Sequence, residues 1–176
     1  MSLLIVSASL NSDSNSRILA RECEKVLRGD GHEVTMLDLR DLALPFCDGE
    51  KAYEHPDVLR ADQLIAEASG IIVATPIYNY DANAVVKNLL ELTGDAWENK
   101  VVAFLCSAGG QGSYMSIMGL ANSLMLDFRC VIVPRFVYAL GAAFANDAIT
   151  DTKIAARVAE CARATAHFAA ALKTTK

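Results

Sequence analysis

Several things are missing from this 176-residue chain, and each absence removes a class of function. No apolar run approaches the roughly 20 residues that a bilayer span requires, so no membrane segment is expected. The start at Met1 has no basic segment followed by an apolar stretch and a small-residue cleavage site; a signal peptide is not expected, and the cytoplasm is the expected compartment. Lys and Arg together number 16 against 21 Asp and Glu, a net charge of −5, and they form no cluster. That argues against a nucleic-acid partner or an anionic membrane surface. The five cysteines, at 23, 47, 106, 130 and 161, include no Cys-x-x-Cys pair and no neighbouring His-Cys group, so reduced thiols are expected rather than zinc, an iron–sulfur centre or a disulfide scaffold. Four of them fall in apolar periodic segments, and only Cys47 is placed in a loop. His32, His55 and His167 have no metal-like spacing and are expected at the surface. Three sequence motifs are also absent: Gly-x-x-x-x-Gly-Lys for a triphosphate, Gly-x-Gly-x-x-Gly for a dinucleotide, and Gly-x-Ser-x-Gly for a hydrolase nucleophile.

What is present is a chain that is 53% hydrophobic and patterned throughout, which reads as one domain over residues 1–176. Leu3–Val6 is a short apolar strand. Leu19, Cys23, Val26 and Leu27 then recur at helical spacing, and Gly29-Asp30-Gly31 stops that helix. Residues 33–39 form a second strand and 40–56 a long aperiodic loop. Pro56 opens a helix with Ala61, Leu64, Ile65 and Ala68 on one face. The continuous β-branched run 70–75 has the character of a central parallel strand covered on both faces. A helix with Val85, Val86, Leu89 and Leu90, a strand over 100–106, a helix over 114–128, a strand over 130–133 ended by Pro134, and a last helix from Ile154 to Leu172 complete the alternation. Residues 136–141 either extend the fifth strand or line a cleft. The pattern predicts an α/β three-layer sandwich around a five-stranded parallel sheet in the order 2-1-3-4-5.

In such sheets ligands bind beyond the carboxyl ends of the strands, where strand order reverses. Strands 1 and 3 flank that point and strand 4 is next, and the three unusual loops of the chain follow these strands. The first, Ser7 to Arg17, carries hydroxyls and amides up to the start of a helix, where unpaired N–H groups and the helix dipole favour an anion. Ser14 or Ser16 as a plain N-cap is the competing reading. Without the Gly-rich signatures, a single terminal phosphate suits this loop better than a pyrophosphate. The second, Thr75 to Asp81, offers Tyr78 and Tyr80 to a flat aromatic ligand, and the third, Ser107 to Ser113, has Gly109, Gly110 and Gly112 for close backbone approach; each alone is also an ordinary turn.

On these loops the chain resembles the flavodoxin-like family of NAD(P)H-dependent FMN reductases, which includes quinone, chromate and azo-dye reductases. The family's small-Ser-x-Arg-x-x-Ser-x-Asn loop is matched by Ala8, Ser9, Asn11, Ser14 and Ser16. Its Pro-x-Tyr-Asn-Tyr-Ser-x-Pro-x-x-Leu-Lys-Asn segment is matched by Pro76, Tyr78, Asn79, Tyr80, Lys87 and Asn88. The resemblance implies an FMN site. Ser9, Asn11, Ser14, Ser16 and Arg17 would stand at the phosphate, Pro76, Ile77, Tyr78, Asn79 and Tyr80 at the isoalloxazine and ribityl region, and Ser107, Gly109, Gly110 and Gly112 at the ring's pyrimidine side. It implies NADPH or NADH as co-substrate, a small electron acceptor such as a quinone, free flavin, azo compound or metal oxyanion, and a homodimer or homotetramer. No catalytic side chain and no metal are expected, because the flavin carries the chemistry. Asn11 departs from the family's Arg, leaving Arg17 as the candidate cation at the phosphate. Asp81 and Asn83 replace Ser and Pro, which predicts a carboxylate and a less rigid turn beside the ring. A flavodoxin-type electron carrier without its own NAD(P)H activity is the alternative, although such carriers are usually more acidic.

Overall fold

The structure, a computed structural model, describes residues 2–173. The parallel sheet is built from β1 (Ser2–Ser7), β2 (Glu33–Asp38), β3 (Gly70–Tyr78), β5 (Val101–Ala108), β6 (Val131–Ile132) and β7 (Val137–Leu140); the two-residue β4 (Asp81–Ala82) turns back antiparallel on the end of β3. The order is β2-β1-β3-β5-β6, with β7 also paired parallel to β5. The expected order therefore holds, and the five-stranded description is corrected to seven strands. The predicted fifth strand is split, because Pro134 has no N–H for the ladder and Arg135 next to it adopts a left-handed φ of 63°. The chain rejoins β5 as β7, so residues 136–141 do extend the strand.

Alternation along the strands divides the core between two faces. Leu3, Ile5, Ile72, Ala103 and Leu105 pack on α1 (Asn15–Gly29) and α5 (Thr152–Lys173); Leu4, Val6, Ile71, Val73 and Phe104 pack on α2 (Pro56–Glu67), α3 (Ala84–Thr93) and α4 (Met118–Phe128). The predicted helical stripes are the buried ones: Leu19, Cys23 and Leu27 on α1, Ala61 and Ile65 on α2, Val158 and Cys161 on α5. Burial pushes up all four core thiols, Cys130 to about 11 and Cys161 to about 12, with Cys23 and Cys106 higher still.

Local chemistry sets the boundaries. Gly31 takes a φ of +84° after α1, which lets His32 N–H reach Leu27 O at 3.0 Å. His55 Nδ1 caps α2 by accepting from Asp57 N–H at 3.2 Å, with Pro56 following. The helix expected from Tyr114 begins as α4 only at Met118; a 3-10 turn over Gln111–Ser113 precedes it, and the Tyr114 ring stacks on Phe136 with centroids 4.9 Å apart. The loop 40–56 contains a 3-10 turn over Lys51–Glu54 and is stapled to α3: Asn88 accepts from Cys47 N–H at 2.9 Å and donates to Pro45 O at 2.8 Å. Residues 141–151 close with a small hairpin of β8 (Phe144–Ala145) and β9 (Ala148–Ile149).

Candidate functional site

The three loops converge on one cleft of about 680 Å³ at the carboxyl ends of β1, β3 and β5, a size within the range of small-molecule and cofactor sites. Its first wall is the loop from β1 to α1, with Ser9, Asn11 and Ser14 as expected, joined by Asp13 and Asn15. Ser14 is both wall and N-cap, its Oγ accepting from Arg17 N–H at 3.3 Å. Asn15 and Ser16, the first two residues of α1, have N–H groups with no intrahelical partner, as at any helix start.

Ser16 and Arg17 stand elsewhere. Ser16 is fully buried behind Ser14, with its Oγ 2.9 Å from the Ser14 Oγ. Arg17 is corrected as a wall cation: its guanidinium lies behind the loop and is 6% exposed. Nε and Nη2 donate to the two carboxylate oxygens of Asp38 at 2.6 and 3.2 Å, Nη1 donates to Asn11 O at 2.6 Å and Ser12 O at 3.3 Å, and Nη2 donates to Ser9 O at 2.7 Å. Burial pushes the Asp38 carboxyl up, but hydrogen bonds from the Arg17 side chain and the Arg40 N–H outweigh it and hold the group below its ordinary value. The cleft wall consequently contains no Lys, Arg or His among the described residues, and Asp13 is its one carboxylate.

The second wall is Pro76, Ile77, Tyr78 and Asn79. Tyr78 pairs with Asp81 across a two-residue turn whose central residues, Asn79 and Tyr80, have φ of 49° and 64°. Positive φ at both is the geometry of the tight hairpin turns that suit strand twist, and it is tolerated by Asn but costly for Tyr. Tyr80, 71% exposed, is swung out of the cleft wall and over the third loop, where a Cβ on Gly112 would come within 2.7 Å of the Tyr80 hydroxyl. A side chain at Gly112 would push the hydroxyl end of that ring aside.

The expectation of a looser turn at Asn83 is overturned. Its amide is buried, donates to Ala8 O at 2.7 Å and accepts from the Thr75 hydroxyl at 3.0 Å, tying together the ends of the two strands that flank the cleft. Asp81 does not stand in the cleft either. Its carboxylate accepts from Ala82 N–H at 2.7 Å, and the residue lines a separate recess of about 270 Å³ with Lys87 and Ser123. Lys87 itself pairs with Glu91 at 2.6 Å.

The third wall is Ser107, Ala108 and Gly109. Gly110 and Gly112 lie in the same loop but are not part of the wall. Tyr138 on β7 braces this loop, its hydroxyl donating to Gly110 O and lying 2.7 Å from the Ser113 Oγ. Gly141 closes the cleft at the end of β7, so the stretch 136–141 both extends the sheet and reaches the cleft. Its position just beyond a strand end was the available signal for it.

The chemistry of this cleft is thus polar and anion-compatible at the start of α1, flat and partly aromatic along Pro76–Tyr78, and open to backbone approach at Ser107–Gly109. A family model for NADPH-dependent FMN reductase matches residues 1–145. An NAD(P)H-dependent FAD/FMN reductase of Geobacillus thermodenitrificans is 28% identical over 145 residues, covering 81% of this chain and 78% of that protein. An NADH-dependent FMN reductase of Pseudomonas fluorescens is 28% identical over 161 residues, covering 89% and 86%. Among solved structures, the flavoenzyme NAD(P)H:(acceptor) oxidoreductase of Paracoccus denitrificans superposes with a TM-score of 0.78 at 22% identity over 96% of each chain. The chain belongs to the NADPH-dependent FMN reductase family and is an FMN-dependent NAD(P)H oxidoreductase.

Proposed function

We propose that the 680 Å³ cleft is the flavin site and that a nicotinamide and a small acceptor use it in turn. The observation that carries this reading is the convergence of the three loops beside the strand reversal, with neutral donors beside the Asp13 carboxylate at one end and a flat wall at the other. Ser9, Asn11, Ser14 and the unpaired N–H groups at the start of α1 would hold the phosphate without a cation, as helix N-termini can. Pro76 to Asn79 and Ser107 to Gly109 would flank the ring and its ribityl chain, and Tyr80 with Gly112 would form the outer lip. FMN held there would supply the hydride chemistry that links the nicotinamide to the acceptor. The protein's part is to orient the ring, exclude water from one of its faces and leave the other open. Quinones, free flavins, azo compounds and metal oxyanions are the acceptor classes of this reading.

The same reading includes a cytoplasmic location, supported by five free thiols, and a homodimer or homotetramer. Exposed Met115, Met118, Met125 and Leu126, on α4 and the turn before it, supply an apolar stripe for self-association.

Titration of the purified protein with FMN tests the site. Perturbed flavin absorbance bands are expected, together with NAD(P)H oxidation on adding a quinone. Absence of flavin binding would refute the site, and flavin binding without NAD(P)H turnover would favour an electron carrier.

A further inference from the structure

We infer that Arg17 is a positioning residue for the phosphate of the flavin, acting through the backbone of the Ser9–Asp13 loop rather than by touching the anion; the inference rests on the FMN reading above. All five guanidinium donors are used from behind the loop, three of them on the loop's own carbonyls at Ser9, Asn11 and Ser12. Among the described residues no peptide bond is cis, and in a planar trans peptide the carbonyl and the following N–H point in opposite directions. Drawing those three carbonyls back onto the guanidinium therefore turns the N–H groups of Leu10, Ser12 and Asp13 away from it. Asp13 N–H is taken by the Asn11 carboxamide at 3.1 Å. Those of Leu10 and Ser12 have no hydrogen-bond partner among the described residues.

Ser9, Asn11 and Asp13 line the cleft, whereas Arg17 does not. The turned peptides thus add donors to those at the start of α1, and together they make an anion-facing concavity out of main chain alone. Asp38 neutralises Arg17 at close range, so the residue's contribution is geometric and leaves little net charge at the wall. This resolves how a loop with Asn11 in the family's arginine position still suits a phosphate. The guanidinium orders the loop from beneath it.

Full-length protein, Arg17→Gln and Arg17→Lys are each titrated with FMN and with riboflavin, which lacks only the phosphate, after circular dichroism has verified folding. The wild-type protein is expected to bind FMN more tightly than riboflavin. In Arg17→Gln the Kd for FMN is expected to rise about tenfold or more while that for riboflavin stays within about twofold, so the discrimination collapses. Arg17→Lys is expected to collapse it as well, because an ammonium cannot span three carbonyls and a carboxylate as the planar fork does, and this variant decides the matter if the glutamine variant does not fold. Retention of the wild-type FMN to riboflavin ratio in either folded variant overturns the inference. Equal weakening of both flavins also overturns it, by showing a general structural role. Failure of the wild-type protein to bind either flavin instead removes the FMN reading itself.

Discussion

The amide of Asn83 holds one carbonyl and one hydroxyl in a region without water access, and its removal would strand the Ala8 carbonyl, while the Thr75 hydroxyl keeps Pro76 O as an acceptor. Leaving a buried acceptor unsatisfied costs about 1–3 kcal/mol, so Asn83→Ala is expected to lower unfolding stability by that amount in urea titrations. FMN affinity is expected to fall with it, since the bond from Asn83 to Ala8 O sets the distance between two of the cleft walls. Asp38 gives a second test at this scale. Its carboxyl is depressed in the folded state, so the stability it contributes is fully present above the ordinary aspartate pKa of about 3.9 and is lost as pH falls through the lower folded value. Thermal unfolding measured from pH 5 downward should show a steeper decline for the wild-type protein than for Asp38→Asn. The polar character of the loop after β1 was legible in the sequence; which side of the loop each residue occupies was not. Ser14 and Arg17 are three residues apart at one helix start, yet one faces the cleft and the other braces it from behind, a distinction made by Asp38 from a different strand.

Among the elements, the hairpin of β3 and β4 stores local strain. Tyr80 occupies with φ 64° a turn position that Gly takes without penalty, and the left-handed conformation costs a non-glycine residue roughly 1–2 kcal/mol. Tyr80→Gly is therefore expected to raise the urea midpoint of the flavin-free protein while weakening FMN binding, a trade of stability for a placed ring. Long periodic elements were readable because burial on one stripe dictates composition every three or four residues, as in α1 and α5. The stretch 135–150 was not, because β8 and β9 are two residues each and too short for any period. The hairpin was hidden for a different reason: its turn is Asn-Tyr, without the glycine that usually marks such a turn. Tyr114 and Ile117 fit a helical spacing but belong to the turns that precede α4, where Tyr114 packs edge-on against Tyr138 at 5.3 Å.

For the whole molecule, two measurements follow from what is covered and what is not. Cys23, Cys106, Cys130 and Cys161 are buried with raised pKa values, whereas Cys47 is only partly buried, with its Sγ 3.5 Å from the Tyr53 hydroxyl. Native alkylation at pH 8 is expected to modify one thiol, identified as Cys47 by mass spectrometry, and denaturation to expose all five. Self-association through the α4 stripe would be weakened by Met118→Lys, read as a lower mass in sedimentation.

The split of the outer strand has a bearing on solubility. A sheet ends in rows of unsatisfied peptide groups that invite a strand from another chain. Here Pro134 offers no N–H, Arg135 bends the backbone out of the pleat, and the flanking pieces run for only two and four residues. A foreign strand docking on this side would find no continuous ladder to extend.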